Sequence, residues 1–220
     1  MRPIFLCGFM GCGKSTVGKI LAKKMGCQCV DLDKYIEDTA GMSIPEIFDK
    51  YGEEHFRKLE TEALAAFADI GGVVATGGGA LLSEENGKVA KRSGMVVFID
   101  TYFNTCYGRI KNDPNRPIAY NSTREQLLER FDYRRPLYLA HSHYVISGGY
   151  PPIVIASKIQ KLYKRFDFYW LFPAGSTFMP TVFGLIANHA SLKLMPVYLA
   201  FFFIFLLVMM SKTEKLCHNK

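Results

Sequence analysis

Short apolar runs alternate with longer amphipathic segments along the first three quarters of the chain. The runs have the length and composition of strands buried between two layers of helices. In the intervening segments, apolar residues recur every three or four positions, which is the helical period. The predicted strands are Ile4–Cys7, Cys29–Asp33, Val73–Ala75, Met95–Asp100 and Tyr144–Ile146.

This alternation predicts an α/β fold, a three-layer domain whose five-stranded parallel sheet is flanked by helices. The last predicted helix is Pro152–Arg165, so the domain should span residues 1–167. Two local breaks are expected. Gly52 should end one helix before a second begins at Glu53, and Pro136 should kink the helix that starts after the capping residue Thr123.

A glycine-rich stretch, Gly8–Thr16, joins the first predicted strand to the first predicted helix. It matches the phosphate-binding pattern Gly-x-x-x-x-Gly-Lys-Ser/Thr at every fixed position. Backbone N–H groups in such a loop converge on an anion, and the helix N-terminus adds partial positive charge. Lys14 would reach the β- and γ-phosphates of ATP, and Ser15 would offer its hydroxyl to Mg²⁺. A glycine-rich turn that binds nothing is the alternative. The predicted ATP contacts in this stretch are Gly11, Cys12, Gly13, Lys14, Ser15 and Thr16.

Two carboxylates, Asp31 and Asp33, end the second predicted strand. Alternation along an extended segment predicts that both point to the same side, with Leu32 opposite. Ligands of parallel α/β sheets bind at the carboxyl ends of the strands, beside the phosphate loop. One carboxylate could therefore support Mg²⁺ and the other could orient an attacking hydroxyl. Alternatively, Asp33 caps the next helix.

Three further features have both a structural and a functional interpretation. Arg57 and Glu60 are three residues apart on a predicted helix, where they can pair. The glycines of Gly77–Gly79 follow a strand end and could expose backbone N–H groups to a ligand, or could form a flexible turn. The polar loop 111–117 carries Arg116, which would suit a mobile lid over phosphates or an ordinary surface loop.

Composition restricts the compartment and the partners. The formal net charge of +7 suits a pocket for small anions, and no dense basic run with interleaved aromatic residues predicts nucleic-acid binding. The six cysteines have no disulfide or zinc spacing and are expected to be reduced. No apolar signal segment opens the chain, so we expect the α/β domain to be cytoplasmic.

Several blocks, taken together and in this order, resemble the shikimate kinases, small P-loop kinases related to the nucleoside monophosphate kinases. The resemblance covers roughly residues 1–165, about three quarters of the chain. A phosphate loop alone would indicate only a nucleotide binder, whereas the ordered set is far more specific. The blocks are Gly8–Thr16, Asp31–Asp33, Ile47–Phe48 with Gly52–Glu60, Ala75–Gly79, Arg116–Pro117 and Arg134–Tyr138.

The resemblance implies an acceptor pocket for shikimate. Asp33 would act at the reacting 3-hydroxyl. Arg57 and Arg134 would hold the shikimate carboxylate, for which bidentate guanidinium geometry is suited. The other residues implied in substrate binding are Glu60 behind Arg57, the backbone of Gly77, Gly78 and Gly79, and the ring walls Phe48 and Phe56.

The same resemblance implies the donor side. Asp31 and Ser15 would support Mg²⁺, Lys14 would act on the phosphates, Arg109 would lie near the adenine, and Arg116 would be the lid arginine. The reaction implied is direct transfer of the ATP γ-phosphoryl group to shikimate, giving shikimate 3-phosphate and ADP in aromatic amino-acid biosynthesis. The sequence departs from the family at Ile118 and Ala119 in the lid. His141 and His143 also differ, and we expect both to be solvated at a helix end.

Residues 168–220 have no counterpart in the family pattern. Leu194–Met210 is almost wholly apolar and is at the short limit for a membrane span, with lysines following it. A membrane anchor, a segment that packs on the domain or a partner, and an aberrant end of the gene are the alternatives. Any membrane contact should involve residues 168–210 only, and the kinase domain should be monomeric.

The sequence therefore predicts an ATP-dependent shikimate kinase. Another small-metabolite P-loop kinase, of the gluconate type, is an alternative, since two arginines indicate a carboxylate without specifying which one. A catalytically silent nucleotide-binding module is a further alternative, although Lys14, Asp33 and Arg116 are all present.

Overall fold

The structure, a computed structural model, describes residues 1–113 and 117–171. Its five strands form one parallel sheet in the order β2-β3-β1-β4-β5. The fold class predicted from the sequence is confirmed. The strands are Ile4–Cys7 (β1), Cys29–Asp31 (β2), Val73–Ala75 (β3), Met95–Asp100 (β4) and Tyr144–Ser147 (β5).

Helices flank this sheet and connect its strands. Apolar residues of the strands and of the inward helix faces form the core, and β1, β3 and most of β4 are fully buried. The helices are Lys14–Met25 (α1), Leu32–Ala40 (α2), Ile44–Ile70 (α3), Glu84–Ser93 (α4), Phe103–Ile110 (α5), Pro117–Tyr120 (α6), Arg124–Ala140 (α7) and Pro152–Leu171 (α8).

The strand order places a crevice at the carboxyl end of β1. The chain builds β2 and β3 on one side of β1 and then β4 and β5 on the other. Ligands of open α/β sheets bind where the direction of winding changes in this way. Gly8–Thr16 follows β1 directly, so the fold brings the phosphate loop to this crevice.

The prediction that Asp31 and Asp33 share one side of an extended strand is wrong. Strand β2 ends at Asp31, and α2 begins at Leu32, so Asp33 lies in the first helical turn. The N-cap of α2 is Asp31, with extended backbone angles, rather than Asp33. The chain turns here because Leu32 is fully buried in the core, which extended continuation of the strand does not provide.

The break at Gly52 is confirmed. Helix α3 contains a non-helical residue there, with φ 79° and ψ 173°, a conformation that glycine adopts without a Cβ penalty. The capping box predicted at Ser43 is also present, since Ser43 and Glu46 exchange side-chain and backbone hydrogen bonds. Helix α7 runs through Pro136 to Ala140, and the short helix α6 had no sequence signal.

The expectation that His141 and His143 are solvated is wrong. Both are half-buried and bonded to the backbone of other elements. His141 Nδ1 lies 2.8 Å from the carbonyl oxygen of Leu81, and His143 Nδ1 accepts a hydrogen bond of 3.1 Å from the N–H of Val96. The chain leaving α7 packs against the protein here because it must enter β5, beside β4.

The chain divides into two compact units, Met1–Tyr163 and Lys164–Lys220. The boundary predicted at residue 167 stays a prediction. Most of the extension 168–220 lies outside the described residues, as does Arg116. Among the helices of the described part, none is long and apolar enough to cross a membrane. The five cysteines in that part are free thiols, as expected.

Candidate active site

The phosphate loop has a backbone that only glycine adopts easily. Gly8, Gly11 and Gly13 have φ values of 143°, 81° and 101°. A β-carbon on Gly11 would lie 2.8 Å from the carbonyl oxygen of Cys106, so the close approach of α5 also requires glycine. Gly13 is the N-cap of α1 and makes no side-chain capping bond, which leaves the helix N-terminus open to an anion.

Two cationic side chains lie against this loop. Lys14 Nζ donates to the carbonyl oxygens of Gly8, at 2.8 Å, and Phe9, at 3.2 Å. Arg109 Nη1 donates to the carbonyl oxygen of Gly11 at 2.8 Å. Carbonyl oxygens are weaker partners for a cation than phosphate oxygens, so both side chains can exchange these bonds for a bound phosphate.

A cleft of about 440 Å³ opens above the loop. It contains most residues predicted for ATP and metal binding. It also contains residues that sequence reasoning missed, most of them at or after the ends of β3, α5 and β5. The signal for the last of these was Gly148–Gly149, which follows a predicted strand at the carboxyl edge of the sheet. The missed lining residues are Met10, Val17, Thr76, Ile110, Asp113, Gly148, Tyr150, Pro152 and Ile155.

Ser15 and Asp31 form a pair of oxygen ligands at the mouth of the loop. Ser15 Oγ donates to Asp31 Oδ2 at 2.7 Å, and both residues line the cleft. A hydroxyl beside a carboxylate fits Mg²⁺, which commonly takes one or two protein oxygens and completes its shell with water and phosphate. The described residues contain no cluster of three or more His, Cys, Asp or Glu side chains that could hold a metal alone.

The three glycines that follow β3 lie against three of the predicted substrate residues. A β-carbon on Gly77 would collide with the Asp33 carboxylate. On Gly79 it would lie 2.5 Å from Arg57 Nη1. Gly78 approaches Arg134, whose Nη1 donates to the Gly78 carbonyl oxygen at 3.2 Å. The fold thus gathers residues from α2, α3 and α7 around one backbone segment.

Arg57 is held by two carboxylates. Its Nη1 is 2.5 Å from Glu60 Oε2, and its Nη2 is 2.8 Å from Glu53 Oε1. Glu60 is only 1% exposed, so burial raises the pKa of its carboxyl, while Arg57 opposes that shift. For Arg57, burial acts to lower the pKa, but the bonds to Glu53 and Glu60 outweigh it and the pKa is raised. The predicted Arg57–Glu60 pair is confirmed, and Glu53 is a partner that was missed.

Arg134 is a buried cation. Burial lowers the pKa of its guanidinium, and the positive charges of Arg130 and Arg57 act in the same direction. Within the described residues it makes no ion pair. Its charge interacts with the Glu60 carboxylate, whose pKa it acts to lower, but no carboxylate in the described part of the chain contacts the guanidinium directly. A buried charge without a direct partner is costly, so this position favours an anionic ligand.

The aromatic pair Phe48 and Phe56 lies beside Arg57. The two ring centroids are 4.8 Å apart, and Arg57 Cζ is 5.4 Å from the centre of the Phe56 ring. The cleft above the phosphate loop includes Asp33 and Gly78 but not these two rings, Arg57 or Arg134. Asp33 and Gly78 therefore lie where the cleft above the phosphate loop meets the group of arginines and aromatic rings around Gly77–Gly79.

A phosphate loop with an adjacent carboxylate, next to one half-buried and one buried arginine, defines a P-loop kinase for a small anionic acceptor. Comparison with known proteins agrees with this class. The family model for shikimate kinase matches residues 10–164. The chain belongs to the shikimate kinase family.

Individual relatives support the same family. The shikimate kinase of Thermodesulfovibrio yellowstonii is 40% identical over 167 residues, which is 75% of this chain and 96% of that protein. The solved structure of shikimate kinase from Acinetobacter baumannii in complex with shikimate is 38% identical, with a TM-score of 0.69, covering 74% of this chain and 92% of that one. The shikimate kinase structure from Aquifex aeolicus is 35% identical, with a TM-score of 0.64, covering 72% and 94%. The predicted enzyme class, an ATP-dependent shikimate kinase, is confirmed.

Proposed function

We propose that the segment Gly77–Gly79 organises the acceptor pocket and that shikimate binds with its 3-hydroxyl toward Asp33. The observation that carries this proposal is that each glycine of the segment lies against a different charged side chain, Asp33, Arg134 or Arg57. A ligand with a carboxylate at one end and a reacting hydroxyl at the other would satisfy both arginines and the aspartate. Shikimate has that arrangement.

Backbone donors would bind the ring hydroxyls of the acceptor. The carbonyl oxygens of residues 78–81 all accept hydrogen bonds from the protein. In contrast, among the described residues the N–H groups of Gly77, Gly78 and Gly79 donate no hydrogen bond. Unpaired backbone donors at a ligand pocket are expected to bond to the ligand.

The donor side is proposed to bind ATP through Gly11–Thr16. Lys14 would leave the carbonyl oxygens of Gly8 and Phe9 and bond to the phosphates. Ser15 and Asp31 would hold Mg²⁺, directly or through water, and the bound ion would neutralise phosphate charge. Arg109 would lie near the adenine, and Arg116 would meet the phosphates from the lid.

In the reaction, the shikimate 3-hydroxyl oxygen forms a bond to the γ-phosphorus while the bond to the bridging oxygen of ADP breaks. Asp33 orients the hydroxyl and accepts its proton. Lys14 stabilises the charge on the phosphoryl group during transfer. Arg57 and Arg134 hold the carboxylate end of the acceptor, so that the hydroxyl and the phosphate meet in a reactive geometry.

The test is the activity of the full chain with ATP and Mg²⁺, measured as ADP release with shikimate or gluconate as the acceptor. We expect ADP release that depends on shikimate. Release that depends on gluconate would contradict the assignment of shikimate as the acceptor. The pocket assignment is tested by Arg57→Lys, which keeps the charge but loses the planar fork. It should raise KM for shikimate by about 30-fold or more, a loss of roughly 2 kcal/mol. The exposed Arg92, on α4, provides the matched control Arg92→Lys.

We further propose a monomeric kinase domain at residues 1–167 in the cytoplasm, with the extension 168–220 acting as a membrane anchor and taking no part in the chemistry. The apolar run Leu194–Met210 supports the anchor. Flotation of the full chain with liposomes, compared with a chain ending at residue 167, is the test. Equal flotation of the two would contradict the anchor.

A further inference from the structure

One face of α7 bonds the carbonyl side of the segment after β3. Tyr138 Oη donates to the Gly78 carbonyl oxygen at 2.6 Å, the same oxygen that accepts from Arg134. His141, at the C-terminal end of the helix, lies with Nδ1 2.8 Å from the Leu81 carbonyl oxygen. These three residues are spaced by four and three positions, so they share one face of the helix.

Helix α4 contributes one further bond on the same side. Asn86 Nδ2 donates to the Ala80 carbonyl oxygen at 2.9 Å, and Asn86 is 2% exposed. The segment is therefore fixed by side chains of two helices on its carbonyl side. Its N–H side is left for the acceptor, in the pocket proposed above.

Tyr138 makes the shortest of these bonds and is itself immobile. The side chain is 1% exposed, and its ring packs on Phe98 of β4 with centroids 5.4 Å apart. A hydroxyl on a ring held in this way is a rigid anchor, because no rotation of the side chain is available without disturbing the core. Gly78 needs such an anchor, since a glycine backbone is the most flexible of all.

We propose that Tyr138 is a positioning residue for the acceptor substrate. Its hydroxyl fixes the carbonyl oxygen of Gly78, and with it the direction of the N–H groups of Gly77–Gly79. It also supplies the shorter hydrogen bond to that oxygen and interacts with the Arg134 side chain, so it helps to place the Arg134 guanidinium for the carboxylate of the acceptor. This inference rests on the acceptor pocket proposed above.

Removing the hydroxyl should affect one substrate only. In Tyr138→Phe the ring and its packing on Phe98 are kept, but the Gly78 oxygen keeps only Arg134 as a donor. Arg134 also loses its interaction with the hydroxyl, so its guanidinium is held less firmly for the acceptor substrate. We expect KM for shikimate to rise about tenfold, since the buried Gly78 carbonyl oxygen loses one of its two donors and Arg134 loses a partner. KM for ATP should stay within about twofold and kcat within about threefold, because the phosphate loop is not touched.

The matched control is Tyr163→Phe in the full chain. Tyr163 is also buried, and its hydroxyl bonds to the backbone of Arg2, at 2.9 Å to the nitrogen and 3.2 Å to the oxygen. Arg2 precedes β1, so this bond lies at the edge of the sheet opposite the site. The control should lower the melting temperature comparably and leave both KM values unchanged.

His141→Ala gives a second measurement, independent of the core. It removes the bond to the Leu81 oxygen from a half-buried position, and KM for shikimate should rise about twofold to threefold. The proposal is overturned if Tyr138→Phe leaves KM for shikimate within twofold, or raises both KM values equally. If Arg57→Lys also leaves KM for shikimate unchanged, the acceptor pocket itself is wrong. If Arg57→Lys raises KM for shikimate but Tyr138→Phe does not, the acceptor pocket is supported and the positioning role of Tyr138 is wrong.

Discussion

The proposed donor and acceptor halves of the site are built in opposite ways. The phosphate loop of the donor half comes from consecutive residues, Gly8–Thr16, and its shape follows from the backbone angles of its glycines. The acceptor half comes from α2, α3, α7 and the segment after β3, which are far apart in sequence. Its shape follows from side chains packed against a backbone that lacks β-carbons, at Gly77 and Gly79.

Because of this difference, we expect substitutions in the two halves to have different effects. A side chain at a glycine of the donor loop strains the backbone itself, and at Gly11 it also meets the Cys106 carbonyl oxygen of α5, which cannot move aside. A substitution in the acceptor half meets the far end of a flexible side chain, so the protein can tolerate it but the ligand geometry is lost. Donor changes should affect both folding and ATP, whereas acceptor changes should affect shikimate with little cost in stability.

The largest effect is expected where the two halves meet. Asp33→Asn keeps the shape and the position in the first turn of α2 but removes the basic carboxylate. We expect kcat to fall by about 10²–10⁴-fold, the usual range for loss of a general base. Binding of a fluorescent ATP analogue should stay within about threefold, because the phosphates are bound by the loop. A near-normal kcat in steady-state kinetics would show that Asp33 takes no part in the chemical step.

Gly11→Ala should distort the phosphate loop and weaken ATP binding. At φ 81°, a β-carbon is strained, and it would lie 2.8 Å from both the Cys106 carbonyl oxygen and Ile110 Cγ2. We expect a cost of roughly 2 kcal/mol, visible as a lower melting temperature and a KM for ATP raised by about 30-fold. A variant with a normal melting temperature and normal ATP binding would show that the loop adapts to the side chain.

Gly79→Ala should affect the acceptor half alone. Gly79 does not have a positive φ, and its new β-carbon would meet the Arg57 guanidinium. The half-buried Arg57 guanidinium can tilt while it stays paired with Glu53 and Glu60, so the melting temperature should change little, but KM for shikimate should rise by about tenfold. Kinetics with each substrate varied in turn would measure this. Gly108→Ala is the control, because its β-carbon meets nothing within 4 Å, and it should stabilise helix α5 by about 0.5–1 kcal/mol.

The smallest effect concerns neither half. His143 Nδ1 accepts the Val96 N–H, and burial lowers the pKa of His143, with Lys91 acting in the same direction. A histidine whose native pKa is lowered contributes stability above its unfolded pKa of about 6.5, and this is lost as the pH falls through the native pKa. The free energy of unfolding should therefore decrease between pH 7.5 and 5.5, by at most about 1.4 kcal/mol per pH unit for this group.

His143→Gln should reduce that dependence, since a glutamine oxygen can accept the same hydrogen bond without titrating. Urea unfolding at the two pH values measures it, with the exposed His55, in His55→Gln, as the control. An unchanged difference in His143→Gln would mean that other groups cause the pH dependence.

Sequence reasoning predicted the sheet, the strand positions and the break at Gly52. Strands buried on both faces are uniformly apolar, and a glycine between two amphipathic stretches is a local signal. It misplaced Asp33 because a turn directly after β2 depends on burial of Leu32 in the core, which has no local signal. For the same reason it placed His141 and His143 in solvent, although each bonds to a backbone group more than 40 residues away in sequence.

By itself, the sequence determined the nucleotide-binding loop, since its function depends on residue types at fixed spacing within nine consecutive positions, Gly8–Thr16. Through the resemblance of its ordered blocks it also indicated the acceptor. Only the tertiary structure decided how that acceptor pocket is held together. Three glycines receive three charged side chains, and Tyr138 fixes the middle glycine from a helix 60 residues further along the chain. Such contacts depend on distances between elements, which local residue patterns do not encode.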